Sequence, residues 1–531
     1  MPDSPTERTN DRPPRAAPMP GSPDERRAFA DLQRGLAPMY RRIFPDPLAP
    51  RTVVVVPSMS LDAEALTKLV GASHYEERLL CLLMLLRLPH TRLVYVTSQP
   101  IAPSIIDYYL HLLPGVPVSH ARRRLTLLSC GDDSPAPLTR KILDRPWLVD
   151  AIRAAIADPT TAHVSCFNAT ALERTLAVRL GVPLYACDPA LADLGTKSGS
   201  REVFRQAGVA MPDGHERLRD VDDLVDALVA LKRRRPLLRR VVIKLEEGFS
   251  GEGNAVLALD GAPNGSGLAR WLRAALPARA RCVAPGETWE SYRAKLARMG
   301  GIVEAFVEHG DAGSACSPSV QCRIDPLGRV QIVSTHDQVL GGPTGQVFLG
   351  CAFPADPSCA AGLHESGRRI AEVLRDRGAI GRFAVDFVST RRGAAWDHRA
   401  IEINLRKGGT THPYLTLQFL TDGAYDPATG LYHTPTGQPC YYVASDNLHD
   451  PAYRGLAPED LFDIVGNERL HFDGATARGV VFHLLGALSD HGKLGAVCIG
   501  PTREHAQKLY DDTVDALQRV VGAARTPVRA A

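Results

Sequence analysis

Four consecutive valines, Val53 to Val56, constrain the fold of this chain more than any other stretch. An uninterrupted apolar run of this length is typical of a strand that is buried on both faces of a parallel sheet. Further strand patterns at 93–97, 125–128 and 163–167 alternate with helical patterns. This alternation predicts a doubly wound α/β domain over residues 48–190.

Composition narrows the class of protein. The 531 residues include 44% hydrophobic and 23% charged side chains, which is typical of a globular protein of two to four domains. The net charge of +3 gives no reason to expect nucleic acid as a partner. The most apolar stretch, Leu79 to Leu86, is much shorter than the roughly 18 residues that span a bilayer, and the first residues show no signal pattern. We therefore expect a cytoplasmic protein with no membrane partner, and the sequence indicates no oligomeric state.

Changes of pattern divide the rest of the chain. Residues 1–47 are predicted to form a disordered tail and a short helix, because Pro, Ser, Arg and Asp dominate the first part. A helical pattern at 62–87 predicts one long helix inside the first domain. We expect a second domain over 191–437 and a small C-terminal domain over 438–531, which ends in an amphipathic helix.

Polar side chains alternate with apolar ones along two predicted strands that contain Asp386 and Glu402. Residues two apart on a strand point to the same side, so Glu402, Asn404 and Arg406 share one face. Asp386 can meet that face from the neighbouring strand. Carboxylate and amide oxygens with open positions suit Mg²⁺ that also holds phosphate oxygens, and the arginine suits a phosphate or a developing oxyanion. The pair of strands therefore predicts ATP chemistry.

A glycine-rich loop joins two further strand patterns, at 241–245 and 255–259. A dinucleotide-binding fingerprint needs a helix after the glycines, whereas a strand follows here, so we expect an antiparallel hairpin. The backbone N–H groups of such a loop can fold over phosphates without steric penalty. Lys244 alternates with apolar neighbours, so its ammonium is expected to point into a cleft. The alternative is a flexible hairpin with an exposed lysine.

Three other features are less specific. Lys197 stands at the start of a predicted helix, where a cation opposes the helix dipole, so either an anionic ligand or a solvated lysine explains it. The strand end at 302–308 has backbone groups that could meet an adenine edge, and Glu304 or Glu308 could accept from adenine N6 or the ribose. The alternative is a strand end with solvated acids. We expect His336 and His412 to be hydrogen-bonded loop residues rather than catalytic bases. Eleven scattered cysteines without a CxxC pair predict no zinc site.

In order and spacing, these segments resemble the ATP-grasp superfamily over about residues 190–415. The preceding domain, with its segment Val94-Tyr95-Val96-Thr97, and the 438–531 region are similar to the matching domains of the pheganomycin-type peptide ligases. The resemblance implies a mixed α/β and α+β chain in which an ATP-grasp fold follows a doubly wound α/β pre-ATP-grasp domain. It also implies a mobile lid at about residues 210–300.

The resemblance implies roles for individual residues. Asp386, Glu402 and Asn404 match Mg²⁺ ligands, with Mn²⁺ as an alternative metal, while Arg406 and Lys244 are expected to act in catalysis. The residues expected to bind ATP are Lys197, Lys244, Gly248, Ser250, Gly251, Gly253, Glu304, Phe306, Val307 and Glu308.

The chain departs from the family pattern at one position. Several family members carry an arginine two residues before the first metal-binding acid, where this chain has Ala384. Arg323 or Arg382 could take that place, so the arginine that stabilises the intermediate is left open among these two and Arg406.

The function implied is ATP-dependent carboxylate–amine (peptide) ligation through an acyl phosphate. It would join an amino acid or a modified amino acid to an amine or peptide in specialised metabolism, so the partners are small-molecule or peptide substrates. The alternatives are thioester formation, phosphoryl transfer to a hydroxyl, and a non-catalytic ATP-binding module.

Overall fold

The computed structural model describes residues 18–61, 63–248, 253–308, 315–341, 345–393 and 395–525. Most of the predicted disordered tail and two of the expected ATP contacts, Ser250 and Gly251, lie outside these residues. No helix in the described ranges has both the length and the apolar composition that a membrane span requires.

The first layer is a parallel four-stranded sheet with strand order β3-β2-β1-β4. The valine run forms its central strand, which is buried along its whole length, as the sequence predicted. The strands are β1 (Arg51–Val56), β2 (Thr91–Thr97), β3 (Leu125–Ser129) and β4 (Ala162–Cys166). The helices are α1 (Pro23–Ile43), α2 (Ala63–Lys68), α3 (Pro103–His111), α4 (Val118–Arg122), α5 (Leu138–Leu143), α6 (Pro146–Ala155) and α7 (Ala171–Leu180).

The prediction of one long helix over 62–87 is wrong. Helix α2 is followed by a separate 3₁₀ helix, Ala72–Arg87. Gly71 separates the two in the left-handed conformation, with φ of +70°, which interrupts a right-handed helix and favours glycine.

The second layer is a five-stranded antiparallel sheet with strand order β5-β9-β6-β7-β8 and its own apolar core. The predicted hairpin is confirmed, because the strands on either side of the glycine loop pair antiparallel. The strands are β5 (Gly214–Leu218), β6 (Arg240–Leu245), β7 (Asn254–Ala258), β8 (Arg281–Cys282) and β9 (Gly301–Ala305). Helix α8 (Lys197–Ala207) precedes this layer in the chain and packs in the apolar core of the third layer. The helices of the second layer are α9 (Val221–Arg234), α10 (Leu268–Arg279) and α11 (Trp289–Met299).

The third layer is a nine-stranded sheet. Its strands are β10 (Ala315–Cys316), β11 (Pro318–Ile324), β12 (Val330–Gly341), β13 (Val347–Phe353), β14 (Gly381–Arg392), β15 (Ala395–Asn404), β18 (Tyr441–His449), β19 (Gly479–His483) and β20 (Lys493–Gly500); β16 (Ala424–Asp426) and β17 (Leu431–His433) pair separately. The helices are α12 (Pro357–Asp376), α13 (Thr411–Thr421), α14 (Pro458–Asn467), α15 (Ala487–His491) and α16 (Arg503–Arg525).

The first and last parts of the chain share one core. Side chains of the first sheet, such as Val55 and Tyr95, belong to the same buried cluster as Tyr442 and Phe482 of the C-terminal strands. Strand β18 also pairs with β13, so the C-terminal strands extend the sheet that carries the predicted metal-binding acids. This packing brings Arg78, Asp446 and Lys493 to one end of the cavity described in the next subsection. The exact domain bounds stay predictions.

Candidate active site

The predicted polar face forms at the pairing of β14 with β15. Asp386 lies directly opposite Glu402, and a bulge follows in the register. The side-chain amide of Asn404 donates to Asp386 Oδ2 at 2.9 Å. Ser319 of β11 faces Asp386 from the other side of β14. The structure therefore brings together the three oxygen-bearing side chains that the sequence singled out.

The two carboxyl groups on this face, Asp386 and Glu402, lie close enough to disfavour each other's negative charge, which suits a bound cation. Burial, together with the neighbouring Glu402 carboxylate, raises the pKa of Asp386 to about 6. Burial also acts to raise the pKa of Glu402, but the cations Lys197, Lys244 and Arg406 outweigh it and the pKa is lowered. The raised pKa of Asp386 beside a second carboxylate is what we expect of a Mg²⁺ site. A bound cation would favour the ionised form of both acids.

Lys197 lies in the first turn of α8 and is 5% exposed. Its ammonium is 2.5 Å from Glu402 Oε1, so the alternative of a solvated lysine is wrong. The helix start is fixed by Thr196, whose hydroxyl accepts from Gly199 N, and by Ser198, whose backbone N–H donates to the Glu246 carboxylate at 2.9 Å. Lys197 therefore projects from a well-anchored helix end toward the acids.

Lys244 is 7% exposed, so the alternative of an exposed lysine is wrong as well. Its ammonium lies 2.6 Å from Glu304 Oε2, and Arg201 donates to Glu304 Oε1 at 2.6 Å. Glu304 was expected to accept from adenine or ribose. In the structure both of its oxygens contact cations, and the carboxylate is only 2% exposed. Its adenine contact stays a prediction, while its contact with Lys244 is observed.

Gly248 and Gly253 mark the two ends of the glycine loop and lie against each other. A Cβ built on Gly248 would lie 3.0 Å from Gly253 Cα, so the close approach favours glycine at this crossing. Gly253 also accepts a hydrogen bond from Leu245 N at 2.9 Å. The residues between them, at 249–252, lie outside the described part of the chain.

The segment after β9 contributes to the same cavity. Phe306 and Val307 line it, and the guanidinium of Arg240 lies 4.0 Å from the centre of the Phe306 ring. Glu308 pairs with Arg240 and is not among the residues that line the cavity. Its expected contact with the nucleotide stays a prediction.

These parts enclose one cavity of about 420 Å³. One end is bounded by Lys197, Lys244 and Phe306, and the middle by Asp386 and Glu402. The other end is lined by residues that the sequence did not suggest: Tyr75, Arg78, Phe167, Asp446 and Lys493. Tyr75, Arg78 and Phe167 lie in segments with a buried helix or strand pattern, and the sequence around Asp446 and Lys493 shows no motif that marks a site.

Of the three arginines left open, only Arg406 lines the cavity. It lies just beyond the end of β15, with its guanidinium 5.9 Å from the centre of the Phe167 ring. Arg323 pairs with Gln331 on the surface. Arg382 is enclosed away from the cavity, and burial lowers its pKa to about 10. The geometry therefore favours Arg406 for contact with reacting groups.

The two singled-out histidines are hydrogen-bonded but do not lie in loops. His336 belongs to β12 and contacts the Tyr442 hydroxyl at 2.6 Å. His412 belongs to the first turn of α13 and contacts His483 and Asp446. The prediction that both histidines lie in loops is wrong. Strand β12 extends through His336 and helix α13 includes His412, although the sequence pattern predicted neither element there.

Comparison with known proteins identifies the family. The chain is 34% identical over 441 residues to L-propargylglycine--L-glutamate ligase of Streptantibioticus cattleyicolor, which covers 81% of this chain and 86% of that protein. The chain belongs to the ATP-grasp family of ligases. A family model described as IQCH-like, ATP-grasp matches residues 189–261 and 268–426, and one described as PGM1 C-terminal domain matches 460–513. Family, fold class and ATP-dependent carbon–nitrogen ligase activity are thus as the sequence predicted.

Other similarities are more distant. IQ motif-containing protein H of Danio rerio is 25% identical over 435 residues, which is 73% of this chain and 41% of that protein. The fold is similar to the Campylobacter jejuni biotin carboxylase complex with β-γ-ATP, with a TM-score of 0.52, 14% identity and coverage of 89% and 95%. It is also similar to the biotin carboxylase domain of Hydrogenobacter thermophilus 2-oxoglutarate carboxylase with MgADP, with a TM-score of 0.52, 13% identity and coverage of 88% and 89%. At these identities the similarity shows the shared fold.

Proposed function

We propose that this ligase joins the carboxylate of one amino acid, or modified amino acid, to the amine of a second amino acid or a peptide, in specialised metabolism. The observation that carries the proposal is that one cavity joins the lysines and acids expected for ATP to a second, cationic end. The similarity to an amino-acid ligase over most of both chains supports the same substrate class.

The reaction proposed has two steps. A substrate carboxylate oxygen attacks the γ-phosphorus of ATP, so a carboxylate–phosphorus bond forms and ADP leaves. The amine nitrogen then attacks the carbonyl carbon of the acyl phosphate, inorganic phosphate leaves, and the nitrogen loses a proton. Lys197 and Lys244 would bind phosphate oxygens, and Arg406 would stabilise the tetrahedral oxyanion. The lid, about residues 210–300, would exclude water that hydrolyses the acyl phosphate.

The metal fits the oxygen donors already described. Asp386, Glu402 and Asn404 would hold Mg²⁺, which when bound supplies positive charge against phosphate oxygens. Mn²⁺ would accept the same ligands, because carboxylate and amide oxygens suit both ions.

The cationic end of the cavity suggests where the amine substrate lies. The guanidinium of Arg78 lies 4.5 Å from the Phe167 ring centre and 4.7 Å from the Tyr75 ring centre, and Lys493 Nζ lies 2.7 Å from Tyr75 Oη. Two enclosed cations, with Asp446 as the acid beside them in the described part of the chain, favour an anionic ligand. We therefore propose that this end binds the free carboxylate of the amine substrate.

A labelling experiment tests the chemistry. The enzyme is incubated with ATP, Mg²⁺ and pairs of amino acids, one of which carries oxygen-18 in its carboxylate, and products are analysed by mass spectrometry. We expect ADP, a dipeptide, and transfer of one labelled oxygen to inorganic phosphate. Release of AMP, or unlabelled phosphate whichever of the two amino acids carries the label, would contradict an acyl phosphate. A thioester or phosphorylated alcohol as product would contradict amide formation.

A second experiment tests the position of the amine substrate. Its carboxylate is replaced by a primary amide, and kcat/KM is measured for the enzyme and for Arg78→Met. If the carboxylate contacts Arg78, the amide should lose about 10- to 100-fold in kcat/KM in the unmodified enzyme. It should lose little in the variant. Equal losses in both enzymes would place the carboxylate elsewhere.

A further inference from the structure

A second cluster of metal-binding side chains lies beside the cavity, separate from the predicted Mg²⁺ ligands. His483 Nε2 is 2.7 Å from Asp446 Oδ1, His412 Nε2 is 3.2 Å from the same oxygen, and the two nitrogens are 3.0 Å apart. All three side chains are buried. Two imidazoles and one carboxylate thus direct one ligand atom each at a common point.

Three different elements hold this geometry. His412 projects from the first turn of α13, and His483 is the last residue of β19. Asp446 lies in a bulge of β18, where the register with β20 shifts between Ser445 and Leu448. A bulge re-aims the side chain that it carries, and here it directs Asp446 toward the two imidazoles.

Hydrogen bonds alone leave this arrangement unsatisfied. If both Nε2 atoms carry a proton, two N–H groups oppose each other at 3.0 Å. If only one of them carries a proton, the lone pair of the other Nε2 faces the Asp446 oxygen with no proton between them. A cation that accepts both nitrogen lone pairs and the oxygen removes the conflict. Atoms bound to one Zn²⁺ at about 2.1 Å are separated by about 3.0–3.4 Å. The separations of 3.0 and 3.2 Å observed here fall in that range, and the 2.7 Å between His483 and Asp446 is shorter.

Glycine at position 495 allows His483 to take its position. Gly495 faces His483 across β19 and β20. A Cβ at Gly495 would lie 2.0 Å from His483 Nε2 and 2.4 Å from its Cδ2, so any other residue would displace the imidazole. Asp446 Oδ2, the oxygen that does not face the histidines, accepts from Arg78 at 3.3 Å. That contact orients the carboxylate in the way that outer partners of metal ligands do.

We propose that His412, Asp446 and His483 bind a divalent transition-metal ion, with Zn²⁺ the best match to two imidazoles and one carboxylate. Neutral imidazoles suit zinc, whereas the all-oxygen set of Asp386, Glu402 and Asn404 suits magnesium, so the two sites select different ions. The ion would clamp α13, β18 and β19 together at the end of the cavity. The proposal does not depend on the identity of the substrates.

Two features weaken the affinity. Arg78 places positive charge next to Asp446, and His412 Nδ1 has no hydrogen-bond partner in the described part of the chain. Purification could therefore strip the metal, so the test begins from reconstituted enzyme.

The full-length, tag-free enzyme is dialysed against a chelator and titrated with Co²⁺, which gives visible absorption when bound to protein ligands. We expect saturation at one equivalent, displacement by Zn²⁺, and a rise in Tm on Zn²⁺ addition. Zinc-edge X-ray absorption of the loaded wild type should show nitrogen and oxygen neighbours with two imidazoles. Sulfur neighbours, which the eleven cysteines could supply, or the absence of stoichiometric binding would overturn the proposal. This readout needs no variant.

Variants then locate the site. His412→Gln and His483→Gln should each lower the affinity for Co²⁺ by at least about tenfold. His398→Gln is the matched control, since His398 is a partly buried histidine that contacts Ser389 in β14 and lies outside the cluster. It should bind metal as the wild type does. Retention of binding in both cluster variants would refute the assignment of these ligands.

Discussion

Glu304 contacts Lys244 and was also expected to contact adenine. One substitution of Glu304 can distinguish these two roles. Glu304→Gln keeps the size of the side chain and an oxygen that can accept from adenine, but removes the charge that Lys244 and Arg201 share. If the carboxylate serves to hold Lys244 against the triphosphate, the variant should lose affinity for ATP. If it serves as an acceptor for adenine, the amide should preserve most of that affinity.

The magnitude follows from burial. Glu304, Arg201 and Lys244 are 2%, 2% and 7% exposed, so the value for a buried pair applies and not the value for a surface pair. Removal of one partner of a buried pair costs about 3–5 kcal/mol, and we expect the lower end because glutamine still accepts one hydrogen bond. A charge-assisted hydrogen bond from Lys244 to phosphate is worth about 1.5–3 kcal/mol, so ATP affinity should fall by about 10- to 150-fold.

The assay compares nucleotides with and without phosphates. Calorimetry should show a weaker Kd for ADP and for a non-hydrolysable ATP analogue in Glu304→Gln, with an unchanged Kd for adenosine. Urea unfolding, followed by the fluorescence of Trp289 in the same core, should report the loss of stability. Equal losses for adenosine and ATP would refute the role in holding Lys244.

Glu216→Gln is the matched control. Glu216 accepts from Arg201 Nε at 3.1 Å, so its loss also removes a partner of Arg201. Lys244 contacts Glu304 instead. The control should lower stability without a change in ATP affinity, which separates the effect on Lys244 from a general effect of a disturbed arginine.

Three further predictions follow from single side chains. Asp386→Asn should lower kcat by at least about 100-fold at saturating Mg²⁺, because the amide cannot supply the charge of the expected metal ligand; steady-state ADP release measures it. Burial raises the pKa of Glu76 to about 7, so the folded state binds more protons than the unfolded state between pH 4.5 and 7. The free energy of unfolding should therefore fall by about 3 kcal/mol as pH rises through that window, and Glu76→Gln should remove this fall in urea titrations. Gly199→Ala should destabilise by about 1–3 kcal/mol although alanine favours helices, because its Cβ would meet Asp193 O at 1.8 Å; Gly466→Ala, with open space in α14, should stabilise slightly in the same thermal assay.

The parts of the site that sequence could predict are those fixed by local alternation. The period of two along β15 places Glu402 and Asn404 on one face whatever the rest of the chain does. Lys244 follows the same rule in β6. The convergence of Asp386 with Glu402 needed only the pairing of two strands that are neighbours in sequence, which short connections favour.

The parts that sequence could not predict depend on packing between distant segments. Arg78 stands at the edge of an apolar run and looks like the flank of a buried helix, yet it contacts Asp446 at a separation of 368 residues. The bulge that re-aims Asp446 is a property of the pairing of β18 with β20 and has no local pattern. The sequence predicted Glu304 at the site. It did not predict the contact of Glu304 with Arg201 and Lys244, because these partners come from two other elements.

The cavity therefore has two parts: one is lined by residues that local sequence patterns predict, and the other by residues that packing of distant segments brings together. The side expected to bind ATP uses residues in one ordered stretch, from Lys197 to Arg406, and they lie on or next to elements of the second or third layer. The opposite end is formed by Arg78 of the 3₁₀ helix Ala72–Arg87, Asp446 of β18 and Lys493 of β20. These elements meet because the first and last parts of the chain share a core. Substitutions there can change the shape and charge offered to the amine substrate without a change in any residue expected to touch ATP. With the proposed roles, the chemistry and the choice of substrate would be encoded in separate parts of the sequence. We therefore expect relatives that keep the first set while differing in the second to share the reaction and differ in the product.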